Sequence, residues 1–197
     1  MIQKQKFKNN NILLNLLFKS KNMYGELSTY TNKDIFPFLF GIRYDYTIIN
    51  LKDVSFFLKR IFKLIKYTLQ KNEKILIIGN SDEVKFLLTT PFIKKNSNII
   101  FFNTEWINGL ITNQINNTTF NKIINYLFKE NEIKLILIIK SSVKDIFLKQ
   151  ELSSLKIPII SLINTTQTLN NINYPIITNS KNIQSIYTLM YLLRKIF

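Results

Sequence analysis

Hydrophobic and polar positions along the chain follow two patterns, one typical of helices and one of strands. The clearest helical pattern comes after Asn50, where apolar residues recur at intervals of three and four and so share one face: Val54, Phe57, Leu58, Ile61, Leu64, Ile65 and Leu69. Asn50 is a suitable N-cap for this helix. The charge of Asp53 is favourable near the positive N-terminal end of the helix dipole, and that of Lys71 is favourable near its negative C-terminal end. We therefore predict a long amphipathic helix between Asn50 and Lys71.

Short, continuous apolar runs form the second pattern and predict buried strands. Lys74–Gly79 is such a run, stopped by a glycine, and similar runs occupy residues 98–102, 135–139 and 157–163. Runs of this kind suit strands that are covered on both faces in a parallel sheet. Residues 46–50 alternate between polar and apolar instead, and this alternation predicts a first strand.

Further helices are predicted between these strands. One covers residues 12–18, a short one lies around residues 86–88, and another follows Ser142 and Asp145, whose spacing resembles a capping box. The last helix begins at Ser180, and its apolar spacing predicts that it buries Ile183, Ile186, Tyr187, Met190 and Leu193. Because strand and helix alternate, we predict an α/β fold with a parallel sheet and right-handed crossovers.

No internal repeat or linker divides the chain, so one domain is predicted over residues 26–197. A basic N-terminal arm that carries a helix precedes it over residues 1–25, which contain no acidic residue. The Asn-rich residues 165–173 are expected to form a surface loop, since polar residues of this kind favour turns.

The composition adds a strong positive charge to this picture. Alanine is absent, and isoleucine, asparagine, lysine and phenylalanine dominate, as expected of an AT-rich genome such as that of a mitochondrion, a relict plastid or a reduced endosymbiont. The formal net charge is +15, with only 12 acidic residues, although AT-rich codons can also supply acids. Such a surplus opposes compaction unless a polyanion lies nearby. A nucleic acid is the first candidate and an anionic membrane surface the second, while codon drift alone is the alternative.

The residue types that are missing exclude several kinds of site. With no cysteine and no histidine, the chain has no disulfide, no thiolate or imidazole metal site and no catalysis by those groups. We predict no metal site and no cofactor. A nucleotide-binding enzyme remains an alternative because 79–81 (Gly-Asn-Ser) follows a strand, where parallel α/β sheets bind ligands. One glycine is not a dinucleotide-binding motif, however, and the acids Asp82, Glu83 and Glu105 form no recognisable pair.

Strings of residues along most of the chain are similar, in order, to those of a known family. They are Phe40-Gly41-Ile42-Arg43 with Ile48-Ile49-Asn50-Leu51, the spaced Asn103, Trp106 and Gly109 with Leu110-Ile111-Thr112-Asn113, Lys156-Ile157-Pro158-Ile159-Ile160, and Asn173-Tyr174-Pro175-Ile176-Ile177. Together they resemble the first strand, the tryptophan segment, the Gly-Ile-Pro strand and the Asp-Tyr-Pro-Ile-Pro turn of the bacterial-type ribosomal protein S2 family. The resemblance runs from about Tyr24 to the C-terminus.

The chain also departs from the family pattern. Thr104-Glu105 stands where the family commonly has His-Arg, and Asn80-Ser81 stands where it has Thr-Lys after the strand glycine. These changes remove basic groups. Only residues 114–133 occupy the interval in which the family usually inserts a long helical hairpin, so this hairpin is expected to be reduced.

The resemblance implies a flavodoxin-like, three-layer fold with a parallel sheet of about five strands. It also implies a structural, non-enzymatic role in a small ribosomal subunit, near the junction of head and body. The expected partners are small-subunit rRNA and neighbouring ribosomal proteins, with no membrane and no small-molecule substrate. A shortened, drifted member from an AT-rich genome favours the mitochondrial matrix over a plastid. A peripheral membrane protein held by the basic N-terminus is a further alternative.

Basic residues are the first candidates for contact with RNA. Lysines can neutralise phosphates wherever they lie on the surface; those near the N-terminus are Lys4, Lys6, Lys8, Lys19, Lys21 and Lys33. For each of them a solvated charged face is the alternative. The planar guanidinium of Arg43 can hold a phosphate through two hydrogen bonds, or it can pair with Asp45.

Polar and aromatic candidates lie near predicted strand ends. Four of them can reach phosphate or sugar, or bond to their own backbone instead: Asn80, Asn103, Thr112 and Asn113. Trp106 can stack on an RNA base or anchor a hydrophobic core. Gly109 permits a tight turn under either interpretation.

Overall fold

The computed structural model describes residues 12–79, 98–102, 106, 108–109, 111–112, 128, 132–139 and 146–194. Helix α1 covers residues 12–19. The strands in these ranges are β1 (Tyr24–Leu27), β2 (Leu39–Arg43), β3 (Tyr46–Ile49), β4 (Lys74–Gly79), β5 (Ile99–Phe102), β6 (Ile133–Ile139), β7 (Ile159–Ile163) and β8 (Tyr174–Ile177). The longer helices are α2 (Leu51–Gln70), α3 (Ile146–Ser154) and α4 (Ile183–Arg194), and short 3-10 helices cover Ser28–Tyr30 and Lys33–Phe38.

Five strands form a parallel sheet in the order β5-β4-β6-β7-β8. The apolar run at its centre explains this arrangement, because Ile75, Leu76, Ile77 and Ile78 of β4 have no exposed surface. Strands buried on both faces need helices on both sides of the sheet. The strand order is that of the flavodoxin-like fold, which confirms the predicted class.

Alternate residues of the central strands face two separate cores, which gives three layers. Ile75 and Ile77 of β4 belong to a core shared with α1, α2 and α4, whereas Leu76 and Ile78 belong to a core shared with α3. The period of two along the strand thus sends successive side chains to opposite helical layers. Helix α2 starts as predicted, since the Asn50 side chain accepts a hydrogen bond from the Lys52 N–H at 3.1 Å.

The first predicted strand does not join the parallel sheet. Tyr46–Ile49 (β3) pairs antiparallel with β1 and β2 in a separate sheet of three strands. Its alternation of exposed and buried residues suits a sheet with one covered face. The fifth parallel strand is β8, which the sequence had assigned to a turn. Pro175 is tolerated there because β8 lies at the sheet edge.

Two further expectations need correction. In α4 the buried residues Ile186, Met190 and Leu193 were predicted, but Ile183 and Tyr187 are 55% and 58% exposed. The residues 165–173 lack helix and strand, as expected of a loop, yet Thr165 and Gln167 are buried. The predicted helix around 86–88 and the capping pair Ser142 and Asp145 lie outside the described residues, as does most of the interval 114–133. No helix among the described ranges is long and apolar enough to cross a bilayer.

Candidate nucleic-acid interface

The N-terminal part of the chain packs over the carboxyl ends of β7 and β8. We call residues 12–49, from α1 to β3, the N-terminal module. The Asn32 N–H donates to the Thr165 carbonyl oxygen at 2.9 Å, and the Glu26 N–H donates to Thr165 Oγ1 at 2.9 Å. The Thr47 hydroxyl donates to the Glu26 carbonyl oxygen at 2.9 Å. Thr165, two residues beyond the end of β7, therefore anchors the antiparallel sheet.

A glycine allows this close approach. A Cβ atom at Gly25 would lie 2.7 Å from Cγ2 of Thr165 and closer still to Oγ1 of Thr47. Atoms of a real side chain do not approach one another this closely, so any larger residue would have to displace the side chains of Thr47 and Thr165. Gly25 therefore sets the distance between β1 and the end of β7.

The end of β8 is closed by a second set of buried polar groups. The Thr178 hydroxyl donates to Oδ1 of Asn22, and Nδ2 of Asn22 donates to the Ser20 hydroxyl. The Ser185 hydroxyl donates to the Ser20 carbonyl oxygen at 2.8 Å. These four residues are all buried. Together with Thr165, they occupy the carboxyl ends of β7 and β8 with the chain's own hydrogen bonds.

The N-terminal module carries four of the predicted RNA contacts on its surface. Lys19 and Lys21 lie at the end of α1 and in the turn after it, Lys33 begins the second 3-10 helix, and Arg43 ends β2. All four are exposed. The fold thus brings these cations onto one structural unit and leaves them open to a polyanion.

Arg43 lies beside a strained hairpin turn. Tyr44 and Asp45 both have left-handed backbones, with φ of 48° and 63°, as in the type I′ turns that join antiparallel strands. The Arg43 guanidinium lies 5.5 Å from the centre of the Tyr44 ring, which is 84% exposed. Within the described part of the chain, Arg43 makes no salt bridge with Asp45. The exposed tip therefore presents a guanidinium and an aromatic ring, and Tyr44 is a candidate that the sequence analysis missed.

Trp106 anchors a core. Its side chain is 9% exposed and packs edge to face on Phe102, with the ring centroids 5.3 Å apart. Its indole N–H donates to a carboxylate oxygen of Glu151 at 3.3 Å. Of the two interpretations left open by the sequence, the structure favours the core anchor, because a stacked base would find almost no free ring surface.

The Glu151 carboxylate organises the segment around Trp106. Besides the indole, it accepts hydrogen bonds from the N–H groups of Gly109 and, at 3.2 Å, Ile111. Gly109 has a φ of 87°, which turns the backbone so that both groups point inwards. We call this arrangement the Glu151 clamp. It fixes the turn that leads into the exposed Thr112.

Glu151 was not predicted as part of any site. The available signal was its position in α3, where it lies on the face defined by Leu148 and Leu152, both of which are buried. An acid on an apolar helix face must find buried donors. The other predicted contacts, Asn80, Asn103 and Asn113, and the lysines Lys4, Lys6 and Lys8, lie outside the described residues.

The structure is that of a flavodoxin-like α/β protein, with five parallel strands in this order and helices on both faces of the sheet. The family model of ribosomal protein S2 matches residues 17–134 and 119–196. The chain therefore belongs to the ribosomal protein S2 family. Its relatives named below are ribosomal proteins and not enzymes, which agrees with the prediction of a chain without catalytic activity.

Bacterial and plastid relatives are similar over most of the chain. Small ribosomal subunit protein uS2 of Ehrlichia canis (strain Jake) is 22% identical over 203 residues, covering 86% of this chain and 69% of that protein. The protein of the same name in Buchnera aphidicola subsp. Cinara cedri (strain Cc) is 25% identical over 88% of this chain and 86% of its own length. The plastid form uS2c of Galdieria sulphuraria is 24% identical and covers 79% of each chain.

Proposed function

We propose that this chain is a structural constituent of an organellar small ribosomal subunit, where it binds rRNA and neighbouring ribosomal proteins near the junction of head and body. The observation that carries the proposal is the family match, which extends from residue 17 to residue 196. Relatives that cover most of the chain are named as small-subunit ribosomal proteins.

The mechanism is architectural. A rigid three-layer body holds Lys19, Lys21, Lys33 and Arg43 on its surface, where they neutralise phosphates. The Glu151 clamp holds the turn that precedes Thr112, so that this hydroxyl meets RNA from a fixed position. Asn80, Asn103 and Asn113 are proposed as further contacts on the basis of the sequence alone.

We further propose that the protein works in the mitochondrial matrix, with a plastid as the alternative. The absence of alanine and the abundance of lysine and asparagine indicate an AT-rich genome, which is typical of organelles. Density-gradient fractionation of organelles, followed by immunoblotting against this chain, tests the location. Recovery with plastids, or in neither organelle, would contradict the mitochondrial assignment.

Sedimentation tests the ribosomal role directly. A tagged chain expressed in its own cell is expected to migrate with the small-subunit peak at moderate salt and to leave it at high salt, since phosphate contacts are screened. Absence from that peak at every salt concentration would refute the proposed function.

A further inference from the structure

The solvent-facing side of α2 carries a regular line of cations and aromatic rings. Its six residues are separated by intervals of four, four, three, four and four, which places them on one helical face; we call them the α2 stripe: Lys52, Phe56, Arg60, Lys63, Tyr67 and Lys71. All six are exposed. With a rise of about 1.5 Å per residue, the stripe is about 28 Å long.

Cations and rings are paired within the stripe. The Arg60 guanidinium lies 4.3 Å from the centre of the Phe56 ring, and the Lys71 ammonium lies 4.4 Å from the centre of the Tyr67 ring. The two aromatic residues are 51% and 55% exposed. Each pair therefore offers a positive charge and part of an aromatic surface at one place.

Among the described residues, the acids nearest to the stripe along the chain lie near its two ends. At the far end the pKa of Lys71 is raised by its hydrogen bond with Tyr67 and, to a smaller extent, by the charge of Glu73. The one acid of α2 is Asp53, whose carboxylate accepts a hydrogen bond from the Asn50 side chain at 2.7 Å, at the start of the helix. No carboxylate among the described residues forms a salt bridge with Lys52, Arg60 or Lys63. A helix face that serves only solubility usually mixes charges of both signs. The stripe carries one sign alone.

Folding does not explain the stripe either. The opposite face of α2 supplies the packing, with Val54, Leu58, Ile61 and Ile65 buried in the core. That apolar face contacts β4, β6 and β8, so it is not available for insertion into a bilayer. The stripe itself contains no aliphatic residue. Both facts disfavour a membrane surface as the partner.

We propose that the α2 stripe is a second RNA-binding surface, which holds the phosphate backbone of small-subunit rRNA with its cations and stacks unpaired bases on Phe56 and Tyr67. This inference rests on the proposed function. Alternating cations and half-exposed rings match the two recurring parts of a single-stranded RNA segment, its phosphates and its bases. An acidic protein would satisfy the cations but leave the rings without a partner.

The electrostatic part is tested with two variants of equal charge. Arg60→Gln/Lys63→Gln removes two cations from the stripe, and Lys134→Gln/Lys156→Gln removes two exposed cations from β6 and the turn after α3. The probe is full-length small-subunit rRNA transcribed from the same genome, bound to the purified full chain over a range of salt concentrations. The stripe variant is expected to lose on the order of tenfold in affinity near 0.1 M salt and to lower the salt slope by about 1.5. The control is expected to match the wild-type chain.

Each outcome bears on the inference. Equal slopes for the stripe variant and the wild-type chain would overturn it, as would an equal loss in the control, which would indicate a general effect of charge. A wild-type chain that fails to bind the rRNA would instead refute the proposed function. Circular dichroism of all variants checks that α2 is still folded.

The aromatic part is tested separately. Phe56→Leu/Tyr67→Leu keeps a strong helix former at both positions and removes both rings, together with the Tyr67 hydroxyl that hydrogen-bonds Lys71. Affinity for rRNA is expected to fall roughly fivefold or more per ring, while the salt slope stays unchanged. Unchanged affinity would overturn the stacking role.

A photoreactive benzoylphenylalanine in place of Phe56 identifies the partner within reconstituted small subunits. A cross-link to rRNA supports the inference. A cross-link to a ribosomal protein, or binding of the chain to vesicles of equal parts phosphatidylcholine and phosphatidylserine with a dependence on Arg60 and Lys63, would overturn it.

Discussion

Removing the charge of Glu151 should weaken the structure around Trp106. Glu151→Gln keeps the size and shape of the side chain, but it replaces one carboxylate oxygen with an NH2 group that donates. In the wild-type chain the carboxylate accepts hydrogen bonds from three N–H groups, those of the Trp106 indole, the Gly109 backbone and the Ile111 backbone. In the variant at least one of them faces another donor, and the remaining bonds lose their ionic character.

The size of the effect follows from the number of bonds and from their burial. Hydrogen bonds to a charged group stabilise by about 1.5–3 kcal/mol each, and a buried N–H without a partner costs about 1–3 kcal/mol. Because part of the bonding survives in Glu151→Gln, we expect the free energy of unfolding to fall by roughly 2–3 kcal/mol. Glu151→Ala leaves all three donors without a partner and should cost roughly 3–5 kcal/mol.

The assay is urea denaturation followed by tryptophan fluorescence. Trp106 is the only tryptophan of the chain, so its emission reports on the Glu151 clamp directly. Glu132→Gln is the matched control, because Glu132 is exposed and its substitution should change stability by less than about 0.5 kcal/mol. If Glu151→Gln unfolds at the same urea concentration as the control, with native emission unchanged, the clamp contributes nothing and the reasoning is refuted.

Three further substitutions test local features of the fold. Ser161→Ala should raise the free energy of unfolding by about 1 kcal/mol in urea, because the buried Ser161 hydroxyl has no hydrogen-bond partner among the described residues; a loss would show that it has one. Gly25→Ala should lower the melting temperature, at a cost of roughly 1–3 kcal/mol, since the new Cβ overlaps Thr47 and Thr165; unchanged melting would mean that β1 can move away freely. Asp45→Gly should stabilise the chain by about 0.5–1 kcal/mol in thermal unfolding, because glycine adopts the left-handed turn without strain; no gain would show that the turn is already relaxed.

Features with a local cause could be predicted from the sequence. The apolar stripe of α2 and its Asn50 cap are determined by residues three or four positions apart, and both are confirmed. The strand Lys74–Gly79 was predicted because its apolar run is continuous and ends at a glycine. In each case the signal and the structure lie within the same stretch of chain.

Features that depend on distant partners could not be predicted in this way. The string 173–177 resembled a turn of the family, and only the position of β8 at the sheet edge makes a strand with Pro175 acceptable there. The alternating pattern of residues 46–49 predicts a strand, but the pattern does not indicate that this strand pairs with β1 and β2. The Glu151 clamp joins residues about 40 positions apart, so the pattern around Trp106 did not reveal which interpretation of the tryptophan was right.

The distribution of polar groups connects the fold to the proposed role. A flavodoxin-like sheet usually offers a crevice for a small ligand at the carboxyl ends of its strands. At β7 and β8 the hydrogen-bonding groups of Thr165, Asn22 and Thr178 are satisfied by the chain itself, so a ligand would have to displace the N-terminal module. The uncompensated charge lies instead on outer surfaces, on that module and along the α2 stripe. A protein that supports folded RNA needs cations on its outer surface, and in the part of the chain that the structure describes the fold places them there.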